Sequence, residues 1–221
     1  MKAQMKADVK ADVNGARAGF SLIELLAVIV IIGILAAVLI PNITTMLGGM
    51  DLDLTRQRIA QIATVCKSYE GELDNGDYPP TTLPAKDVPD GGGTNRGAEA
   101  LVVALWSSSD NGYGLGEDSF CNTDEDSSRT QLTGLGRELY ELCDQWGNPI
   151  AYFHHADYGE AHVYVTLDPD TGALIEGPVK ALEKPDGGGF YQRLDFQLIS
   201  AGPDGEFGTG DDLANFEIPD E

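Results

Sequence analysis

Residues 17–41 read RAGFSLIELLAVIVIIGILAAVLIP, an apolar run that contains one carboxylate, Glu24, near its start. At about 1.5 Å per residue, a helix over residues 20–40 would cross a hydrocarbon core of roughly 30 Å. A carboxylate in such a segment costs roughly 2.5 to 3.5 kcal/mol at the bilayer centre and less near an end. The run therefore predicts one transmembrane helix, and Glu24 is expected to have a partner of opposite charge.

The charge on either side of this run indicates its orientation. Residues 1–19 carry four basic and two acidic side chains, and a basic flank stays in the cytoplasm. The rest of the chain is expected outside, as one globular domain. The net charge is −22 for the whole chain and −24 after Gly19. This surface disfavours nucleic acid, because phosphates require Lys and Arg, and it suits cations.

The residues before the apolar run resemble a known processing site. Gly19-Phe20-Ser21-Leu22-Ile23-Glu24 is similar to the cleavage site of the type IV pilin and pseudopilin superfamily. The resemblance implies that prepilin peptidase cuts between Gly19 and Phe20 and methylates the new amine. It also implies that Glu24 neutralises the amine of a neighbouring subunit in the filament. An ordinary signal peptide has its small-residue cleavage site after the apolar core, whereas Gly19 precedes it.

Further blocks narrow the resemblance to the major pseudopilin of type II secretion systems. They follow in the family's order: residues 74–79 (DNGDYP), 97–102 (GAEALV) and 144–149 (DQWGNP). The last block resembles the family's tryptophan turn, with Gln145 in place of the family's proline. Residues 86–130 are longer than the family's usual middle, and residues 156–193 insert a segment that we expect to hold a hairpin. Because of these two departures, two alternatives stay open: the chain is the main filament component, or it is a lineage-specific relative of that component.

An acidic, glycine-rich loop near the end of the chain is a candidate calcium site. Residues 200–212 read SAGPDGEFGTGDD, in which four glycines permit positive φ angles and three aspartates offer hard oxygen ligands. For the loop alone, a solvated acidic turn is the alternative. The loop resembles the calcium loop of the major pseudopilin, and this implies carboxylate ligands from Asp204, Asp211 and Asp212 and backbone carbonyls near Ala201 and Thr209.

The remaining pattern predicts an α+β fold. Apolar residues recur at helical spacing to about residue 70, and Asn-Gly followed by two prolines at 75–80 ends the helix. Alternating segments at 149–155, 161–167 and 194–198 read as strands of a small antiparallel sheet. Residues 168–172 (DPDTG) predict a tight turn that leads to a further short strand at 173–175. We expect a leader at 1–19, a long transmembrane and amphipathic helix at 20–71 packed on the sheet, and a globular domain at 72–221 that ends in the calcium-binding loop, as in pilins.

The cysteines and histidines are candidates for one disulfide bond and for a metal site. The chain has Cys66, Cys121 and Cys143, so at most one intramolecular disulfide forms. We favour Cys121 with Cys143, and the pairings with Cys66 stay open. His154 and His155 are adjacent, and neighbouring residues on a strand point to opposite faces. We therefore expect them not to share a metal ion.

Taken with these patterns, the resemblance implies a non-catalytic pseudopilin. The resemblance implies a homopolymer, assembled with other pseudopilins and an inner-membrane platform into a periplasmic filament that drives type II secretion. The chain would be a single-pass protein of the bacterial inner membrane with its domain in the periplasm. One alternative is a type IV pilin for adhesion, motility or DNA uptake. A second is an uncut, membrane-tethered calcium-binding domain or enzyme.

Overall fold

The computed structural model describes residues 21–72, 76–83, 88, 93–109, 112–185 and 187–219. The chain divides into two compact units at the boundary between Met46 and Leu47. Helix α1 (Leu22–Glu72) has residues in both units. The predicted processing residues, Gly19 and Phe20, lie outside the described residues.

The first unit holds the predicted apolar helix. Among the described residues, one stretch, Leu22–Ile40, is long and apolar enough to cross a membrane. Its aliphatic side chains are exposed, from Leu22 at 82% to Val28 at 47%. Because a contiguous apolar surface of this size is unfavourable in water, it marks contact with lipid or with other helices.

The second unit is built on the C-terminal part of α1 and on α2 (Arg96–Ser108). Ile59, Ile62 and Cys66 are spaced on one face of α1 and are fully buried. They belong to a core that also contains Leu105 of α2 and Phe196. The amphipathic pattern beyond the membrane segment thus reflects packing on the domain.

The strands of this unit are short and pair in antiparallel fashion. They are β1 (Phe120–Cys121), β2 (Glu141–Leu142), β3 (Ala151–His154), β4 (Ala161–Leu167), β5 (Leu174–Lys180), β6 (Phe196–Ser200) and β7 (Leu213–Ala214). They form three sheets, with the orders β1-β2, β3-β6-β7 and β4-β5. The α+β prediction is confirmed, with the strands divided among separate small sheets.

The β4–β5 hairpin occupies the segment expected to carry an insertion. Its register runs from Ala161 opposite Lys180 to Leu167 opposite Leu174. Asp168 closes the turn, because its carboxylate accepts hydrogen bonds from the backbone N–H groups of Asp170 and Thr171. These two donors lower the pKa of Asp168. The tight turn predicted here is confirmed.

The favoured disulfide is confirmed: Cys121 is bonded to Cys143. The bond joins β1 to the residue that follows β2, across a pair in which Cys121 lies opposite Glu141. Cys66 is a free thiol. It is buried in the core between α1 and α2 that contains Leu105 and Phe196. Burial raises its pKa, so it remains an unreactive thiol.

Asp144, at the start of the predicted tryptophan turn, connects three parts of the domain. Its carboxylate accepts hydrogen bonds from the backbone N–H of Trp146 at 3.0 Å, from that of Asn148 at 2.9 Å, and from the hydroxyl of Ser200 at 2.7 Å. Burial raises its pKa, and these donors oppose that effect. The next residue, Gln145, donates its N–H to Thr55 Oγ1 of α1 at 3.2 Å.

Replacing Asp144 tests this connection. Asp144→Ala should lower the free energy of unfolding by about 3 kcal/mol, since hydrogen bonds to a charged acceptor contribute about 1.5–3 kcal/mol and the buried donors lose their partner. Asp144→Asn should cost less, because its amide oxygen still accepts from the two N–H groups. Urea unfolding of the full-length protein in detergent, followed by tryptophan fluorescence, measures both. Equal stability of the alanine variant and the wild type would contradict the role assigned to Asp144.

Candidate functional site

Glu24, the predicted assembly residue, lies in the first turn of α1 in a reciprocal pair with Ser21. Glu24 Oε2 accepts from the N–H of Ser21 at 2.8 Å, and Ser21 Oγ accepts from the N–H of Glu24 at 3.2 Å. This is a capping box, which satisfies two free donors at a helix start. The acid therefore has a local structural partner at the end of the apolar helix.

The predicted calcium loop closes the last hairpin. Ser200 of β6 pairs with Leu213 of β7, so residues 201–212 form the connection and its two ends are adjacent. Gly202 has a φ of +68°, and a Cβ placed on it would lie 2.5 Å from the carbonyl oxygen of Asp211. Only glycine lets the start and the end of the loop approach this closely.

Two of the three predicted carboxylate residues, Asp204 and Asp211, are in contact. The N–H of Asp204 donates to Asp211 Oδ2 at 3.3 Å. The hydroxyl of Thr209 donates to Asp211 Oδ1. Ala201, a predicted carbonyl ligand, is fully buried beside Gly202. The structure thus places Asp204, Thr209 and Asp211 together.

The third predicted carboxylate, Asp212, is the most buried of the set, with 9% of its surface exposed. Its Oδ2 accepts from the N–H of Gly208 at 2.8 Å. Its Oδ1 is buried and has no hydrogen-bond partner among the residues that the structure describes. Burial raises the pKa of Asp212 to about 6; the N–H of Gly208 opposes this, and the charges of Asp211 and Asp204 add to it. An unpaired, buried carboxylate oxygen is suited to a cation.

The sequence did not indicate the contacts that hold this loop on the domain. The hydroxyl of Thr166 in β4 donates to the carbonyl of Gly205 at 2.7 Å. A Cβ on Gly205 would lie 2.5 Å from the carbonyl oxygen of Leu167. The rings of Phe207 and Tyr164 lie 5.7 Å apart. These contacts join segments about 40 residues apart, which local patterns do not reveal.

The prediction that His154 and His155 diverge is wrong. Strand β3 ends at His154 and a 3-10 helix begins at His155, so the alternation of a strand does not apply. The two rings are 4.2 Å apart. His154 Nε2 lies 2.8 Å from Asp77 Oδ1, and its Nδ1 accepts from the N–H of Ala156. One ligand atom from each of Asp77, His154 and His155 lies within 4.8 Å of the others.

Comparison with known proteins matches the first segment to a family. Residues 14–40 match the family described as "Prokaryotic N-terminal methylation motif". The matched residues include Gly19, Phe20 and Glu24, together with the apolar part of α1.

Two relatives extend the similarity over most of the chain. The chain is 27% identical to type II secretion system core protein G of Escherichia coli (strain K12) over 201 residues, which cover 90% of this chain and 91% of the relative. It is 28% identical to the protein of the same name from Pseudomonas aeruginosa over 148 residues, 67% of this chain and 81% of the relative. No solved structure gives a significant match.

Glycine substitutions test whether the acidic loop depends on close approach. Gly202→Ala should lower the free energy of unfolding by about 1–3 kcal/mol, because it adds a clash to an unfavourable backbone angle. Gly208 has a φ of +87°, and no atom lies within 4 Å of the position that a Cβ would take. Gly208→Ala should therefore show the cost of the angle alone, about 1 kcal/mol.

Gly210 is the control for this series, because a Cβ there would meet nothing within 4 Å and its φ is not positive. Gly210→Ala should be nearly neutral. Urea unfolding of the full-length proteins gives the three values. If the Gly202 and Gly210 variants are equally stable, close packing between Gly202 and Asp211 does not hold the loop.

Proposed function

We infer that this chain is a pseudopilin of type II secretion, processed by prepilin peptidase. The observation that carries this assignment is the methylation motif at residues 14–40 joined to a domain similar, over 90% of the chain, to a core protein G. The α+β fold with an exposed apolar N-terminal helix agrees with this assignment.

The role proposed for the chain is structural. The segment Leu22–Ile40 anchors the precursor in the inner membrane, with the acidic domain in the periplasm. After cleavage, the exposed aliphatic surface of this segment packs against the same segment of other subunits in a homopolymeric pseudopilus. Other secretion-system pseudopilins and an inner-membrane assembly platform are its proposed partners. Growth of the filament would push folded proteins toward the outer membrane.

We propose that Glu24 guides the addition of subunits. Cleavage between Gly19 and Phe20 creates a positive amine next to Ser21, whose N–H is already bonded to the Glu24 carboxylate. In an apolar surrounding, an unpaired amine is costly, and a carboxylate of an adjacent subunit neutralises it. The capping box keeps the acid at the helix start, where this partner arrives.

Deletion of the gene tests the assignment directly. Loss of exoprotein secretion with normal surface fibres is expected of a pseudopilin. Loss of surface fibres with normal secretion would identify a type IV pilin instead. Amino-terminal mass spectrometry of the membrane-extracted protein should find methylated Phe20, whereas an intact Gly19–Phe20 bond would identify an uncut anchor.

Three variants separate the charge of Glu24 from its role as a helix cap. Glu24→Gln keeps an oxygen that accepts from the N–H of Ser21, since Gln also completes a capping box, but it removes the charge. Ser21→Ala removes the other half of the cap and keeps the charge. We expect Glu24→Gln and Glu24→Ala to be inserted and cleaved but to form no filament, and Ser21→Ala to assemble.

Filament formation and secretion are measured in cells that express each variant at equal levels. If Glu24→Gln assembles as well as wild type and Ser21→Ala does not, Glu24 acts as a cap and its charge has no part in assembly.

We also propose that the C-terminal loop binds calcium. Asp204, Asp211 and Asp212 would provide carboxylate oxygens, and the carbonyls of Ala201 and Thr209 would complete the set. The donor set fits calcium, because it is rich in oxygen and includes Asp212 Oδ1, which is buried and has no hydrogen-bond partner within the described part of the chain. Bound calcium would neutralise the repulsion among the three carboxylates. The chain's own contribution is to hold both ends of the loop together through Gly202.

Calcium should raise the melting temperature of the full-length protein in detergent. A ligand at one hundred times its Kd stabilises the folded state by about 2.7 kcal/mol, and each kcal/mol raises the melting temperature by roughly 2–4 °C for a chain of this size. Magnesium should have a smaller effect, because it requires tighter octahedral coordination. Calorimetry in calcium, in magnesium and in chelator measures these shifts.

Asp211→Asn should remove one bound calcium ion per chain and reduce the shift. Asp170→Asn, at an exposed aspartate in the β4–β5 turn, is the matched control and should retain the wild-type amount of calcium. Equal calcium binding by wild type and the Asp211 variant would leave the loop as an acidic turn.

A further inference from the structure

Four acidic side chains meet inside the second unit, away from the C-terminal loop. They come from α2 (Glu99), from the segment after β1 (Asp124 and Asp126), and from β2 (Glu141). Glu99 and Glu141 are fully buried. One carboxylate oxygen from each of Glu99, Asp124 and Glu141 lies within 4.8 Å of the others. Three separate segments of the chain therefore direct their carboxylates to one point.

The oxygens at this point lack donors. Five of them are buried and accept no hydrogen bond from an N–H or alcohol group of the residues that the structure describes: Glu99 Oε1 and Oε2, Asp124 Oδ1, Asp126 Oδ1 and Glu141 Oε2. Leaving buried polar groups unpaired is costly, and leaving buried charges unpaired costs more. A cation that is coordinated by several oxygen atoms at once would give all five a partner.

The ionisable side chains of the cluster are all acids. The pKa of Glu99 is raised to about 11, first by burial, then by the charges of Asp126, Asp124 and Glu141, and also by a hydrogen bond between the Glu99 carboxyl group and the Asp126 carboxylate. Burial and the charge of Asp124 likewise raise the pKa of Glu141 to about 8, against the opposing donor Asn95. Four carboxyl groups thus share one interior site, and the charges that act on Glu99 all come from acidic side chains.

The side chains around the cluster are held in place by polar contacts. Asn95 precedes α2 with a φ of +54°. Its amide Nδ2 donates to Glu141 Oε1 at 2.7 Å, and its Oδ1 accepts from the N–H of Val165 at 2.9 Å. Asn122 binds the backbone N–H and the carbonyl of Asp126, each at 3.1 Å. The hydroxyl of Thr94 donates to Asp124. Asn95 and Thr94 therefore orient the carboxylates of Glu141 and Asp124, and Asn122 holds the backbone of Asp126.

We propose that Glu99, Asp124, Asp126 and Glu141 bind one calcium ion, at a second site distinct from the C-terminal loop. Calcium takes six to eight oxygen ligands in flexible geometry, whereas magnesium requires octahedral geometry and retains water. Zinc prefers nitrogen and sulfur ligands. A buried set of five carboxylate oxygens matches calcium. Asn122, Asp124 and Asp126 also alternate along the chain, which is the spacing of the first three ligands in an EF-hand loop.

The competing arrangement is a cluster that holds protons and no ion, in which neutral carboxyl groups donate to neighbouring carboxylates. The number of calcium ions per chain distinguishes the two. Full-length protein in detergent is stripped with chelator, dialysed against calcium, and analysed for bound metal, with isothermal titration as a second measurement. We expect two ions in wild type and one in Glu99→Gln, which keeps the size of the side chain and removes a ligand charge.

Control variants show whether a change in the calcium count comes from the cluster, from loss of folding or from the C-terminal loop. Glu138→Gln changes an exposed acid near Glu141 and should retain two ions. Asp124→Asn, at a half-buried ligand, should weaken calcium binding at the cluster at least tenfold if Glu99→Gln fails to fold. Asp211→Asn should retain the ion of the cluster, and the double variant Glu99→Gln/Asp211→Asn should retain none.

The outcomes separate this proposal from calcium binding at the C-terminal loop. If wild type binds one ion that Glu99→Gln removes and Asp211→Asn retains, the cluster binds calcium and the loop does not. If Glu99→Gln and Asp124→Asn retain every ion bound by wild type with unchanged affinity, the cluster holds protons and the proposal is overturned. Absence of calcium from the wild-type protein would overturn it as well.

Discussion

The domain depends on one buried carboxylate, that of Asp144. It accepts from two N–H groups of its own turn and from Ser200 at the end of β6. The turn is fastened to α1 because Arg58 donates to the carbonyl of Cys143 at 2.6 Å. Asn148, at the other end of the turn, accepts from the N–H of Leu167 at 2.8 Å. The helix, the three-stranded sheet and the hairpin therefore share one polar centre, and burial of this acid is offset by its donors.

The excess of acidic residues is resolved in different ways inside the domain. Asp144 has three donors. Among the residues that the structure describes, Asp212 has one buried oxygen without a donor, and the Glu99 cluster, which consists of Glu99, Asp124, Asp126 and Glu141, has five. Exposed acids in water need no partner, but buried carboxylates need hydrogen bonds, protons or cations. The 36 acidic residues of the chain thus include some in the interior of the domain as well as those on its surface. Cations at the two unpaired sites would make the stability of the domain depend on the calcium of its compartment.

The sequence predicted the features that have a local or compositional cause. The length of the apolar run predicted the membrane helix. The residues at 144–149 and 168–172 predicted two turns, and the glycines and aspartates at 200–212 predicted the acidic loop. Strand β5 extends past the predicted residues 173–175 to Lys180, because pairing with β4 accommodates Gly177 and Pro178, which a local pattern excludes. The Glu99 cluster joins residues up to 42 positions apart, so only the alternation at 122–126 offered a local signal. The predicted processing residues, Gly19 and Phe20, lie outside the part of the chain that the structure describes.

Helix α1 contains two kinds of surface, and this division explains how one element serves assembly and folding. From Leu22 to Ile40 it is apolar on all sides and exposed, so its stability in a membrane or a filament comes from contacts outside the chain. From Ile59 to Cys66 it is buried on one face within the core of the domain. Changes to the first surface should alter assembly without altering the folding of the domain, because the two sets of contacts share no residue. Glu24 lies in the first turn of this helix, so the role in assembly that we propose for its charge involves no residue of the buried core of the domain.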